Sequence, residues 1–97
     1  LSSIGGHTVS PTAAVYCATK FAVWAISEGL RQESTDVRVT VISPGVTESE
    51  LASTITDAEA AQWAKNYRET VIPADAIARA IAFAIEQPAD VDVNEII

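Results

Sequence analysis

A single cysteine among 97 residues rules out an internal disulfide, so Cys17 is compatible with a reducing compartment. His7 is the only histidine and there is no paired-cysteine spacing, so no metal-binding pattern is present. Basic residues are scarce. Six Lys and Arg stand against 13 Asp and Glu, and a net charge of −7 disfavours nucleic-acid phosphates and anionic membrane surfaces as partners. The apolar runs fall far short of the roughly 20 residues a membrane span needs. Leu1-Ser2-Ser3-Ile4 has neither the basic segment nor the apolar core of a signal peptide. These absences point to a cytoplasmic protein. Methionine is missing even at position 1, which leads us to expect a chain that begins part-way through a larger protein. Aromatic residues make up only 6%, so any core is built from Ala, Val, Ile and Leu. The 48% hydrophobic content excludes a disordered tail, and the length allows one domain at most.

What is present is chemically specific. Tyr16 and Lys20 lie four apart in Tyr16-Cys17-Ala18-Thr19-Lys20, with Ser3 thirteen positions ahead of the tyrosine. On a helix, residues four apart share a face with Cβ atoms about 6 Å apart. An ammonium at that range favours the ionised form of a phenol, whose ordinary pKa is about 10. A tyrosine tuned in this way can pass a proton near neutral pH. A hydroxyl such as Ser3 can hold a substrate oxygen in line. The three groups read as proton-transfer chemistry at a carbonyl or alcohol carbon.

The surrounding pattern is that of an α/β unit. Leu1 to Ile4 reads as the end of a strand broken at Gly5-Gly6, followed by a loop to Pro11. A helix is expected over 12–33, capped by Ser10 or Thr12, with Pro11 in its first turn. Tyr16, Lys20, Val23 and Ser27 form one stripe on it. Ala18, Ala22, Ala25 and Gly29 form another, where small side chains admit a close neighbour and compensate the cost of Gly29. One side is expected to pack on a sheet and the other on a partner helix, either of a second subunit or inside its own domain. Val37 to Ile42 is β-branched and reads as a strand ending at Ser43-Pro44-Gly45. In such units the ligand crevice lies at the carboxyl ends of the strands. Thr56 with Glu59 predicts a capping box opening a helix to about Arg68. Pro73 opens another, with Ile77, Ile81 and Ile85 inward, and Pro88 ends it. Val93 to Ile97 reads as a final edge strand. His7 is expected near the pocket mouth, Cys17 as a packed thiol and Trp24 in packing or an interface. Asp90, Asp92 and Glu95 read as a solvated segment.

The order Ser3, Tyr16-x-x-x-Lys20, then a strand into Pro44-Gly45 resembles the C-terminal half of a short-chain dehydrogenase/reductase. Val15 to Val23 is similar to that family's active-site helix, and Ile42 to Leu51 to its nicotinamide loop. The resemblance covers essentially the whole chain. It implies a Rossmann-like, doubly wound parallel α/β fold, with residues 1–97 as the C-terminal catalytic part of one NAD(P)-binding domain. It implies hydride transfer between NAD(P) and a carbonyl/alcohol pair on a small-molecule substrate. Ser3 matches the serine that binds the substrate oxygen, Tyr16 the acid/base, and Lys20 the residue that holds the nicotinamide ribose and tunes the tyrosine. Pro44, Gly45 and Thr47 match the loop at the nicotinamide, and Ser49 stands where the family usually has threonine. Trp63 and Tyr67 fall in the region resembling the substrate lid. A homo-oligomer, dimer or tetramer, is expected through the Tyr16–Lys20 helix.

The family's Gly-rich phosphate loop and catalytic asparagine are not in this sequence, so the chain alone is expected to be inactive. Pro-Ala-Asp-Val-Asp-Val-Asn-Glu-Ile, at 88–96, resembles NADP-using members and leans the cofactor toward NADP over NAD. Three other readings stay open: an epimerase or dehydratase using the same Tyr/Lys pair, a non-catalytic acidic interaction module, and an inactive fragment of this fold.

Overall fold

The computed structural model describes residues 1–48, 56–67 and 71–97. Its longest element is helix α1, Ala14–Glu33. The helix starts two residues later than its apolar pattern predicts, and neither Ser10 nor Thr12 caps it with a side chain. Ala13 is the N-cap, and its N–H donates to the Ser10 carbonyl at 3.1 Å. The reason is local: Thr12 has φ 66°, a left-handed conformation that cannot continue into a right-handed helix. The C-terminal end is anchored by Arg31. Its guanidinium donates to the carbonyls of Val39 at 2.7 Å and Asn94 at 2.9 Å and pairs with Glu28.

Two short parallel strands, β1 (Val41–Ile42) and β2 (Glu95–Ile96), pair in the register Val41–Glu95 and Ile42–Ile96. On the other edge of β1 the N-terminal segment runs alongside it. Ser2 N–H donates to Ile42 O at 2.7 Å, and Ile4 N–H to Pro44 O at 2.9 Å. β1 is therefore central, and Ser43-Pro44-Gly45 leaves from its carboxyl end. The expected strand over Val37 to Ile42 is shorter than its β-branched run suggests. Side chains replace ladder bonds in its first half. The Arg38 guanidinium donates to the carbonyls of Ile85, Gln87, Pro88 and Val91, and Thr40 Oγ1 donates to Val93 O at 2.6 Å.

Helix α2 spans Ala58–Tyr67. Its cap is Asp57, which accepts from Ala60 N–H at 2.8 Å, and not the expected Thr56. Helix α3, Ala74–Ile85, follows Pro73 and rests on β1. Its buried contact is Ala84, 8% exposed, whereas Ile81 and Ile85 of the expected stripe are 38% and 68% exposed. The small alanine brings the helix close, and Ile81 and Ile85 flank an open groove that Leu1, Thr40 and Ile42 also line. A Cβ on Gly29 would meet nothing within 4 Å, so among the described residues no second helix needs its small size. Among the described residues no helix is long and apolar enough to cross a membrane.

Candidate active site

After the Ser2–Ile4 segment has paired with β1, the chain turns sharply through a 3₁₀ turn, Ile4–Gly6. Ser3 caps that turn. Its Oγ accepts from Gly5 N–H at 3.0 Å, which leaves the hydroxyl hydrogen able to donate outward. The turn packs directly on α1, and Gly6 makes this possible. A Cβ on Gly6 would lie 2.5 Å from Ser2 Oγ and 3.0 Å from the Lys20 carbonyl oxygen. Ser2 Oγ also donates to that carbonyl, at 2.9 Å. Two residues beside Ser3 thus fix the helical turn that carries Lys20.

Tyr16 and Lys20 occupy the first two turns of α1. The Lys20 ammonium sits over the tyrosine ring, 5.8 Å from its centroid, within cation–π range. Tyr16 is 42% exposed and Ser3 only 9%. A carbon built on Gly5 would lie 3.0 Å from Tyr16 Cε1 and 3.5 Å from Ser3 Oγ, so the ring edge and the serine hydroxyl both border Gly5. The Ser3 hydroxyl, the Tyr16 ring and the Lys20 cation therefore lie at a single corner of the molecule. That is a donor set able to bind an oxygen and exchange a proton with it.

Pro44 meets this corner through its carbonyl, which accepts from Ile4 N–H at 2.9 Å. Gly45 is exposed, and a Cβ there would reach only Ile4 Cδ1, at 4.0 Å, so one face of the turn is open. Thr47 turns inward on its own loop. Its Oγ1 donates to Gly45 O at 3.3 Å, and its backbone bridges Ile72 ahead of α3. Ser49 lies outside the described residues, as do the side chains of Trp63 and Tyr67 on which the lid expectation rests. Cys17 is buried, as a packed thiol would be. Among the described residues no group of three His, Cys, Asp or Glu side chains is placed to hold a metal.

Residues 1–60 match the family model described as short chain dehydrogenase. The chain belongs to that family. An uncharacterised oxidoreductase of Staphylococcus saprophyticus is 46% identical over 101 residues, covering all of this chain and 41% of that protein. Dehydrogenase/reductase SDR family member 11 of Homo sapiens is 35% identical over 103 residues, covering 99% of this chain and 40% of its own length. A closed form of serine dehydrogenase complexed with NADP+ superposes with a TM-score of 0.83 at 28% identity, over 98% of this chain and 40% of that one. A small-chain dehydrogenase in complex with NADPH gives 0.74 at 25% identity, over 98% and 46%. The chain thus has a portion of the family's Rossmann-like α/β fold, and spans about two fifths of the length of the curated relatives it matches.

The sequence reading missed the residues that hold this corner together. Ser2, Gly5 and Gly6 read only as a strand end and its breaker. The clustering of two hydroxyls and two glycines within five residues was the available signal. Glu95 reads with Asp90 and Asp92 as part of a solvated segment. It instead pairs with His7 at 2.7 Å from a strand position. Its place inside the apolar run Val93 to Ile97 marked it as different.

Proposed function

We propose that this chain carries the catalytic end of an NAD(P)-dependent oxidoreductase acting on a small carbonyl/alcohol pair, as the C-terminal part of one dinucleotide-binding domain. The observation that carries the reading is the shared corner of Ser3, Tyr16 and Lys20 at the carboxyl end of the parallel strands, where α/β folds bind ligands. The donor set fits the nicotinamide-ribose end of a cofactor: a lysine ammonium within reach of ribose hydroxyls, and the open turn of Pro44 and Gly45 with Thr47 beside it. Ser49 is assigned to the same loop. The cofactor, when bound, supplies or accepts the hydride. Two solved relatives are described with NADP+ and NADPH, which supports NADP as the form used.

In the reducing direction Ser3 donates a hydrogen bond to the substrate oxygen and holds it beside Tyr16. The Tyr16 hydroxyl gives its proton to that oxygen as negative charge develops there. The Lys20 ammonium stabilises the phenolate that remains. In the oxidising direction Tyr16 takes the proton back. The phosphates require a segment that this sequence does not contain, so the activity belongs to a protein of the relatives' length. The small set of buried apolar residues, Cys17, Val41, Ile42 and Ala84 among those described, agrees with a core completed by further chain. A homo-oligomer formed through α1, whose Val15, Ile26 and Leu30 are exposed, and a cytoplasmic setting belong to the same reading.

The test is turnover in the protein at its relatives' length, with a panel of small ketones and alcohols and either nicotinamide cofactor. Tyr16→Phe and Lys20→Ala are each expected to lower kcat by about 10²–10⁴, the usual worth of a positioned proton donor. Tyr16→Phe should keep part of its cofactor affinity. Unchanged turnover in either variant would remove the assignment, and recycling of the cofactor without net NAD(P)H change would point to an epimerase or dehydratase.

A further inference from the structure

Beside the Ser3–Tyr16–Lys20 corner, three polar side chains converge from three separate pieces of chain. His7 Nε2 lies 2.7 Å from Glu95 Oε1 and 3.2 Å from Ser43 Oγ. The Ser43 hydroxyl donates to the same carboxylate oxygen at 3.3 Å. Ser43 has no exposed surface, while the His7 and Glu95 side chains are 30% and 25% exposed. The set does not fit a nucleophilic triad. There the hydroxyl and the carboxylate bond opposite ring nitrogens, whereas here both meet Nε2, and the serine is closed to any substrate.

Its position in the chain suggests a mechanical role. His7 immediately follows the 3₁₀ turn capped by Ser3, and its N–H donates to Ile4 O at 3.0 Å. Ser43 immediately precedes Pro44, whose carbonyl receives Ile4 N–H. Glu95 is fixed by strand pairing with Val41. The cluster therefore ties the turn bearing the substrate-binding hydroxyl to the start of the nicotinamide loop, with β2 as its anchor. Among the described residues the Ile4–Pro44 backbone bond also joins the turn to that loop.

Building on the oxidoreductase reading above, we propose that His7, Ser43 and Glu95 are positioning residues that fix the Ser3 turn against the Pro44–Gly45 loop, and so set substrate oxygen and nicotinamide in reacting register. None of the three touches the reacting atoms. Their effect passes through Ile4 and Pro44, where a displacement of about 1 Å is enough to cost about a hundredfold in rate.

The experiment compares His7→Ala, Glu95→Ala, their double variant and His7→Gln in the protein at its relatives' length, with Tyr16→Phe as reference. His7→Ala and Glu95→Ala are each expected to lower kcat about tenfold or more, with substrate KM changed much less. The double variant should be no slower than the worse single one, because one linkage is lost only once. His7→Gln keeps an N–H for Glu95 and should recover most of the rate. Without cofactor, amide hydrogen exchange at Ile4 should quicken about tenfold in His7→Ala and return in His7→Gln. If His7→Ala does not fold, Glu95→Ala carries the same two expectations. Wild-type kcat in the alanine variants, multiplying losses in the double variant, or unchanged exchange at Ile4 would each overturn the proposal. Loss of turnover in Tyr16→Phe alongside wild-type kcat in His7→Ala would leave the oxidoreductase reading standing and sink the positioning role. Wild-type turnover in Tyr16→Phe would sink both.

Discussion

The neighbouring glycines at 5 and 6 meet different kinds of atom, and a methyl group added to each separates their roles. Neither has a positive φ, so alanine is allowed by the backbone at both positions and the outcome is decided by contact. At Gly6 the new carbon would lie 2.5 Å from Ser2 Oγ, 3.0 Å from the Lys20 oxygen and 3.2 Å from the Lys20 carbonyl carbon. Two of those three atoms are helix backbone and cannot rotate away. Overpacking of this kind costs about 1–3 kcal/mol. The Ser2–Lys20 hydrogen bond lost with it is worth about 1 kcal/mol. A stiffer unfolded chain returns about 0.4–1 kcal/mol. The net expectation for Gly6→Ala is a loss of about 2–3 kcal/mol, a large share of the 5–15 kcal/mol typical of a domain. At Gly5 the close atom is Tyr16 Cε1 at 3.0 Å, the edge of a half-exposed ring free to shift by a few tenths of an ångström. Gly5→Ala should therefore stay within about 1 kcal/mol of the parent, its clash offset by the same unfolded-state gain. Urea titration of both variants at the relatives' full length reads the difference as a shift in midpoint at constant slope. A Gly6→Ala protein as stable as the parent, or a Gly5→Ala protein less stable than Gly6→Ala, would refute the claim that the turn is seated on the backbone of Lys20.

Three further substitutions test the fold around the site. Thr12→Gly should stabilise by about 1 kcal/mol in thermal unfolding, because it relieves a β-branched residue at φ 66°; a loss of stability would contradict that strain. Arg38→Ala should lower the urea midpoint by the equivalent of about 1–2 kcal/mol, since one exposed guanidinium serves four carbonyls at the end of α3 and beyond. An unchanged midpoint would show those bonds to be replaceable by water. Gly29→Ala should raise stability by up to about 1 kcal/mol through helix propensity alone. A fall instead would reveal a second helix seated on that face in the assembled protein.

The nearness of Tyr16 and Lys20 was readable because a helix fixes spacing. A separation of four positions puts Tyr16 and Lys20 on one face whatever surrounds them, and the cation is found over the ring. Ser3 could be picked out by its offset but not by its geometry, because its place depends on non-local bonds from Ser2 and Ile4 to β1. The errors have a common origin in side chains that do what the backbone was expected to do. Arg38 and Thr40 donate side-chain hydrogen bonds to the Val91 and Val93 carbonyls over the stretch where a longer strand is expected. Asp57 caps α2 ahead of Thr56, and Ala84 is buried while Ile81 and Ile85 border an open groove beside β1. Glu95 was misplaced because its partners, His7 and Ser43, are 88 and 52 positions away. No local pattern reports contacts of that range.

The central claim is that the Ser3 hydroxyl and the Tyr16 phenol serve one and the same substrate oxygen. A crystal structure of the protein at its relatives' length, with nicotinamide cofactor and a small alcohol or ketone bound, measures this directly. Both hydroxyl oxygens should lie within about 3.2 Å of the substrate oxygen, with the Lys20 ammonium against the cofactor ribose. A substrate oxygen bonded to neither group, or to Ser3 alone with the phenol turned to solvent, would contradict the account.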